Sequence, residues 1–459
     1  MWMGMEIESE ARMGYSVGMK GQFGGVIVLR PFRFLHTADI HLGTPFVGAN
    51  QRVSEAWLER LKDASYRVFE RIVRAALDHD VQFVTIAGDL FDSASVPMSV
   101  FFELRRGFET LQRAGIKVFL CHGNHDPLDA THPFTWPDNV VTFPPIPASL
   151  SDDDVVASHV FETAGQTRVQ VSGFSYRSPQ LFASLAAQFV RRPDVDYAIG
   201  LYHGVVGSAS GHANYAATSL AELEKRNFDF WGLGHIHQAG VLKPQNPVVL
   251  YPGNPQGRHI KESGAHGVYL VDVLEDGRTK LQFVPTDTVR FATVKLALDD
   301  IEDLAEVREQ LRDEIAHVMQ RNAQHGGGVV LRIQLSGRTR LHNVLSGQEV
   351  DMAEALQADL EHLQWPVCIE RVDVETEPPL DRAALAHSRT FVGEVLRLCD
   401  DYRQDAEATR SALRRLLQDL FHPGTGLSVD NWSDEDVLQL LRDAEMKILS
   451  QVEKAVDAT

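Results

Sequence analysis

Cysteine is scarce: Cys121, Cys368 and Cys399 are spread over 459 positions. That is too few and too scattered for a disulfide framework or a thiolate zinc site, and a reducing, cytoplasmic interior is the natural compartment. Long apolar runs are lacking too. No uninterrupted stretch approaches the roughly 18–20 residues that a membrane span needs, which argues against an integral membrane protein. Positive charge is in deficit, with 44 Lys+Arg against 63 Asp+Glu and a formal net charge of −19. Such a balance excludes broad adhesion to nucleic acid or anionic lipid. It leaves open DNA held at a local metal site or by a partner. Internal repeats and low-complexity segments are missing as well. What is present is an ordinary globular mixture, 44% hydrophobic and 23% charged. The length suits about two to four domains.

Residues 1–31 are rich in methionine and show no periodicity. Their early charge is acidic (Glu6, Glu8, Glu10) and their apolar patch, Val26–Leu29, is short, so a flexible extension is expected rather than a secretion signal. From Phe32 onward, β-prone runs alternate with helical stretches, the pattern of an α/β domain. The strands are expected at Phe32–Leu35, Val81–Ala87, Lys117–Cys121, Tyr197–Tyr202, Phe228–Leu233 and Val248–Tyr251, with helices over Ala56–Ala76 and Val100–Ala114. Hairpins are expected over 155–174 and 267–284. A boundary falls near Pro285–Arg290. Beyond it, a strand at Ala292–Leu296, a helix capped by Asp299 or Asp300, a strand at Val329–Leu335, a helix at Val350–Leu363 and a strand at Val367–Val374 suggest a small sheet covered by helices. The remainder is helical. Ser388–Phe421 reads as one long amphipathic helix, broken at His422–Gly426, and a second helix follows Ser433 with Asp436 in the capping-box position. The organisation expected is therefore an extension (1–31), an α/β core (32–288), a small α/β cap (289–378) and a helical tail (379–459).

Five polar clusters each follow an expected strand: Asp39-Ile-His41, Gly88-Asp89-Leu-Phe-Asp92, Gly123-Asn-His-Asp126, His203-Gly204 and Gly234-His-Ile-His237. In open α/β sheets ligands bind beyond the carboxyl ends of the strands, so these loops are expected on one rim. A pair of divalent ions about 3.5–4 Å apart can clamp the attacking and leaving oxygens of a phosphoryl displacement. Mixed carboxylate, amide and imidazole donors suit manganese, iron or zinc. Asp-x-His and His-x-His would supply two ligands from one extended segment, because alternate side chains leave a strand on the same side. The neighbouring glycines would let the backbone approach the ions. Singly these motifs are weak; all five in this order are specific.

Together these clusters resemble the signature of the calcineurin-like metallophosphoesterases. The finer strings Phe34-Leu-His-Thr-Ala-Asp-Ile-His-Leu-Gly43, Ala87-Gly-Asp-Leu-Phe-Asp92 and Tyr251-Pro-Gly-Asn-Pro-Gln-Gly-Arg-His259 are similar to the SbcD and YhaO branch of DNA-repair exonucleases. The resemblance runs motif by motif over about 32–288 and only by size and order beyond. It implies a two-sheet sandwich core with a small α/β capping domain and a helical C-terminal tail. It also implies two divalent metal ions, manganese first, with magnesium, iron or zinc as the others. Asp39, His41 and His237 would bind one ion, Asn124, His203 and His235 the other, and Asp89 would bridge. His125 would act at the phosphate, and Asp126 would orient His125 or a ligand histidine. Asp92 stands where some relatives carry a histidine, so a further catalytic histidine is absent there. The activity implied is a phosphodiester-cleaving DNA exonuclease, also able to act as a single-strand endonuclease. Its implied partners are a coiled-coil SMC-like ATPase docked on the C-terminal helices and a second copy of the chain. A phosphomonoesterase or cyclic-nucleotide phosphodiesterase, and a non-catalytic scaffold for the ATPase, are the competing functions.

Plainer readings stand beside these. His36 and His122 read as packed or supporting histidines, and Cys121 as core. Arg258 and His259 either contact phosphate or brace the domain junction. His212 and Tyr215 fall in a loop that either flanks substrate or is ordinary surface, and Arg191-Arg192 reads as a solvated face. The tail helices either pack back on the body or offer a groove to a partner helix.

Overall fold

The computed structural model describes residues 29–46, 54–92, 96–130, 135–145, 155–207, 215–322, 327–360, 366–379, 382–417 and 432–457. The chain opens as β1 (Phe32–Thr37), α1 (Glu55–Asp78), β2 (Phe83–Ala87), α2 (Met98–Arg113), β3 (Lys117–Cys121) and β4 (Val140–Thr142). It then builds a second sheet from β5 (Ser158–Glu162), β6 (Arg168–Gly173), β7 (Tyr197–His203), a short α3 (Leu220–Glu224), β8 (Phe230–Gly234), β9 (Gly240–Pro244) and β10 (Val248–Tyr251). A hairpin, β11 (Gly267–Val273) and β12 (Thr279–Pro285), returns to the first sheet. The strand orders are β12-β11-β1-β2-β3-β4 and β5-β6-β7-β8-β10-β9.

The strands read as unbroken apolar runs because both faces of each sheet are covered. Phe32 and Phe34 of β1, Phe83 of β2 and Phe119 of β3 meet Tyr197, Ile199 and Leu201 of β7 and Phe230 of β8 between the sheets. The alternate residues Leu35, Val84, Ile86, Val118 and Leu120 pack outward on α1 and α2. Parallel pairing of β1, β2 and β3, and of β7 with β8, sets their carboxyl ends side by side. The expected hairpins form as β5–β6 and β11–β12. The short edge strands β4 and β9 have too little apolar pattern to be visible in the sequence.

The cap is β13 (Val289–Ala297), α4 (Leu304–Asn322), β14 (Gly328–Arg338), α5 (His342–Leu345), α6 (Glu349–Leu360) and β15 (Val367–Glu377), with all three strands parallel. Helices α4 and α6 cover one face. The other face lays Val289, Phe291, Val330 and Cys368 on Leu61 and Ala64 of α1. Gly328 is needed there, since a Cβ would lie 2.4 Å from the Trp57 ring.

Two helix boundaries differ from the sequence reading. Asp303, not Asp299 or Asp300, opens α4, its Oδ1 accepting Ala305 N–H at 3.1 Å, while Asp299 instead accepts Arg338 N–H at 3.0 Å. The stretch expected as one helix over Ser388–Phe421 is two, α8 (Phe391–Gln404) and α9 (Ala406–Leu417), because Asp405 turns extended at φ −134° and ψ 90°. A short α7 (Arg382–His387) precedes them and α10 (Asp434–Asp457) follows. The capping box at α10 forms: Asp436 N–H donates to Ser433 Oγ at 3.1 Å and Ser433 N–H to Asp436 Oδ2 at 2.8 Å. The break at His422–Gly426 and most of the N-terminal extension lie outside the described residues. Among the described residues no helix is long and apolar enough to cross a membrane.

The inter-sheet aromatic layer should dominate stability. Phe83 is fully buried and stacks on Phe34 at 4.8 Å between ring centroids. Phe83→Ala should cost about 3–5 kcal/mol in urea unfolding; a loss below about 1 kcal/mol would show that the sheets are held together elsewhere.

Candidate metal centre

The loops that leave β1, β2, β3, β7 and β8 meet at one rim. Backbone bonds zip the first two together: Asp39 N–H to Gly88 O and His41 N–H to Asp89 O, both 3.0 Å, and Leu42 N–H to Leu90 O at 2.9 Å. Asp39, His41 and Asp89 hold φ of 52°, 46° and 53°, and His235 one of 93°. These residues are therefore not extended, and the alternate-side-chain account of Asp-x-His and His-x-His is wrong in its geometry. Left-handed turns aim these side chains inward, a conformation that non-glycine residues hold only where surrounding structure enforces it. The glycines make room for neighbouring groups of the protein. A Cβ on Gly123 would sit 2.3 Å from Asp89 Oδ1 and 2.7 Å from His203 Nε2, and one on Gly234 2.0 Å from Ala87 O.

The donors fall into overlapping sets, each drawn within 4.8 Å: Asp39, His41 and His237; Asp39, Asp89 and His203; His41, Asp92 and His125. Asn124 Oδ1 lies 2.9 Å from His203 Nε2 and 3.2 Å from His235 Nδ1. Asp89 Oδ2 stands between the groups, 3.7 Å from His41 Nε2 and 3.5 Å from His203 Nε2. Both oxygens of Asp39 also accept His235 N–H, at 2.9 and 3.1 Å.

The ring orientations test whether a cation fits. His41 Nδ1 lies 2.7 Å from Asp92 Oδ1, and His237 Nδ1 lies 2.7 Å from Glu262 Oε1. Each carboxylate accepts a hydrogen bond from Nδ1–H, which in the neutral rings leaves both Nε2 atoms as acceptors, 3.2 Å apart and facing each other. Two acceptors at that distance repel unless a positive ion lies between them. The separation is close to the roughly 3.0–3.4 Å expected of two ligands with bonds of about 2.1 Å to a shared ion. His203 is fixed similarly, its Nδ1 donating to Ala87 O at 2.8 Å. The residues present thus fit a divalent pair.

The electrostatics agree. Burial pushes Asp39 up to about 7 and raises Asp89 too, with their mutual repulsion adding to Asp39. Burial pushes His41 and His203 down to about 4, which keeps their lone pairs free. A bound cation reverses the penalty on both carboxylates. His125 is raised to about 9, chiefly by its hydrogen bond to Asp92. It is the half-exposed member of the cluster, with Nδ1 2.9 Å from Asp92 Oδ1.

Asp126 does not orient His125. It is fully buried behind the loops, where its carboxylate accepts Gly123 N–H at 2.6 Å, Asp89 N–H at 3.2 Å and Leu90 N–H at 2.9 Å, and meets His122 Nδ1 at 3.1 Å. It pins the loop that carries Asp89. The orienting residue is Asp92, which the sequence reading treated only as a missing histidine; its carboxylate joins His41, His125 and Thr44 Oγ1. Glu262 was also missed, lying 25 positions from the histidine it holds. A Gly-Asp-x-x-Asp spacing could have flagged Asp92, whereas no local signal marks Glu262. His36 is packed, bonded to Thr85 Oγ1 at 2.9 Å, and Cys121 is core. Tyr215 lies edge-on to His235 at 5.6 Å, and His212 falls outside the described residues. Arg191 is not merely solvated, since it braces Asp229 at 2.5 Å.

Asp92→Asn should weaken manganese affinity or turnover by about 10–100-fold, the usual effect of losing a carboxylate behind a ligand imidazole. Calorimetric titration of the purified variant checks this; unchanged affinity together with unchanged turnover would refute the role.

Residues 32–239 match the calcineurin-like phosphoesterase family, and residues 291–377 match the middle domain of the metallophosphoesterase YhaO. The chain is 31% identical over 436 residues to the uncharacterised metallophosphoesterase YhaO of Bacillus subtilis, across 94% of this chain and 100% of that one. It is 23% identical to the DNA double-strand break repair protein Mre11 of Methanopyrus kandleri, over 57% of this chain and 58% of that protein. With Mre11 of Saccharolobus solfataricus the identity is 22%, over 68% of this chain and 77% of that protein. The donor cluster lies inside the matched core and the likeness to YhaO runs nearly end to end, so this chain belongs to the calcineurin-like metallophosphoesterase family.

Proposed function

We propose that this metallophosphoesterase is a DNA nuclease that cleaves phosphodiester bonds at a two-metal site, as an exonuclease with single-strand endonuclease capacity, in DNA repair. The observation that carries the reading is the pairing of a buried donor cluster with a half-exposed, protonated His125 at its mouth. Its likeness to DNA double-strand break repair proteins supports a nucleic-acid substrate.

Asp39, His41 and His237 would hold one ion, Asn124, His203 and His235 the other, with Asp89 placed to serve both. Manganese suits this donor set best, with magnesium, iron or zinc as substitutes. When bound, the ions supply Lewis acidity and a clamp on the attacking and leaving oxygens. The protein's own groups do the rest. Asp92 and Glu262 fix the tautomers of His41 and His237. His125, protonated and held by Asp92, donates to a phosphate oxygen as negative charge builds or to the departing oxygen. Asp126 keeps Asp89 in place by accepting its N–H.

The partners follow as part of the same proposal. Phe391 and Leu398 on α8 and Leu440 on α10 are exposed apolar side chains, which suit the docking of a helix from a coiled-coil ATPase. Leu58, Met98 and Phe102 on α1 and α2 offer a second apolar surface suited to a homodimer. Three buried, unpaired thiols suit a reducing cytoplasm.

On end-labelled single- and double-stranded DNA with manganese, His125→Ala and Asp89→Asn should each lose at least about 100-fold in rate with unchanged circular dichroism. Full activity in either would overturn the site. Chelation should abolish cleavage by the wild type, and manganese should restore it. Turnover of bis(p-nitrophenyl) phosphate without cleavage of DNA would instead identify a small-substrate phosphodiesterase.

A further inference from the structure

Arg258 lies beside the centre, and its partners are few and distant for a guanidinium that is largely buried. Its side chain is 17% exposed. Nη2 approaches His237 Nδ1 at 3.4 Å, but that nitrogen donates its N–H to Glu262 at 2.7 Å, so it has no lone pair for Arg258. Nη1 forms only a long ion pair with Asp92 Oδ2, at 3.7 Å, which is beyond hydrogen-bond reach. Nε is buried and has no partner among the described residues. A guanidinium carries five N–H donors in a planar fork and stays charged at any working pH. Leaving them unmade in a desolvated place is costly. The backbone is nevertheless fixed, with Arg258 N–H donating to Glu262 Oε2 at 2.7 Å. The residue's backbone is therefore anchored, while its Nε is unpartnered and its Nη groups make only long contacts.

A guanidinium with one orphaned donor and only long contacts from the others, beside the donor cluster of a metallophosphoesterase, matches a phosphate oxyanion. It stands on the outer side of His237 and Asp92, away from the inward-facing Nε2 atoms that define the ion position. The scissile phosphate lies with the ions, so Arg258 is placed for the next phosphate along the strand. We propose that Arg258 is a substrate-binding residue that takes a phosphate flanking the scissile bond, and so favours a polynucleotide over an isolated phosphodiester. This rests on the nuclease reading above.

The test compares wild type, Arg258→Gln and Arg258→Lys, loaded with manganese and matched for bound metal and melting temperature. The probes are a fluorescent single-stranded oligodeoxynucleotide and bis(p-nitrophenyl) phosphate. Arg258→Gln should raise KM for the oligonucleotide, and weaken its binding by anisotropy, by about 10–100-fold. Its effect on the single-phosphate diester should be at least tenfold smaller. The slope of log binding against log salt should shrink by about 0.7, the loss of one phosphate contact on a single strand. Arg258→Lys should recover the charge but not the fork, giving intermediate affinity. Equal losses on both probes, or unchanged oligonucleotide binding and salt slope in Arg258→Gln, would overturn the assignment while leaving the nuclease reading intact. A wild type that hydrolyses the small diester but neither binds nor cuts the oligonucleotide would overturn the nuclease reading, and this proposal with it.

Discussion

The desolvation of Asp39 and Asp89 is the constraint around which the centre is built. Both carboxylates are removed from water and press their charge on each other, which favours protonation when no counter-charge is present. Backbone amides compensate in part: His235 N–H bonds to Asp39, and His125 N–H bonds to Asp89 at 2.9 Å. Full compensation requires a cation, because two peptide dipoles cannot balance two buried charges. The loops, the glycines and the supporting carboxylates make sense as means of holding an otherwise unfavourable arrangement in place.

The imidazoles show how tightly this is specified. A histidine offers two nitrogens, and the one that faces an ion is set by what the other touches. Asp92, Glu262 and Ala87 O each claim Nδ1 of a different ring, so His41, His237 and His203 all present Nε2 inward. Two separate segments supply these partners, the end of β2 with the loop after it (Ala87 and Asp92) and the stretch around Glu262. Asp92 has a double duty, since the oxygen that fixes His41 also raises the proton affinity of His125. The orientation of His41 and the proton affinity of His125 therefore depend on the same carboxylate.

Much of this was legible in the sequence because the ligands sit in short strings behind apolar runs. A strand buried on both faces announces itself, and a polar string at its end stands out against it. Every residue expected around the ions does converge in space. Relations that span the chain were not legible. Glu262 answers to His237 from beyond β9 and β10, with no periodicity linking them, and the pairing of Asp126 with the Asp89 loop is visible only once β2 and β3 lie side by side. The break at Asp405 was hidden because the apolar stripe runs on through α9. The cap of α4 was displaced for a similar reason: several acidic residues precede the helix, and tertiary bonding at Arg338 decides which of them is free to cap.

The left-handed turns at Asp39, His41, Asp89 and His235 have a final consequence. None of these residues favours that backbone alone. Each follows a strand of the sandwich: Asp39, His41 and Asp89 rest on the β1–β2 pairing that stacks Phe34 on Phe83, and His235 on the β7–β8 pairing of the facing sheet. Cation affinity is thereby a gauge of how well the sandwich is packed. Loosening of the aromatic layer far below the rim should relax these backbones first, so the protein would shed its ions before it lost its shape.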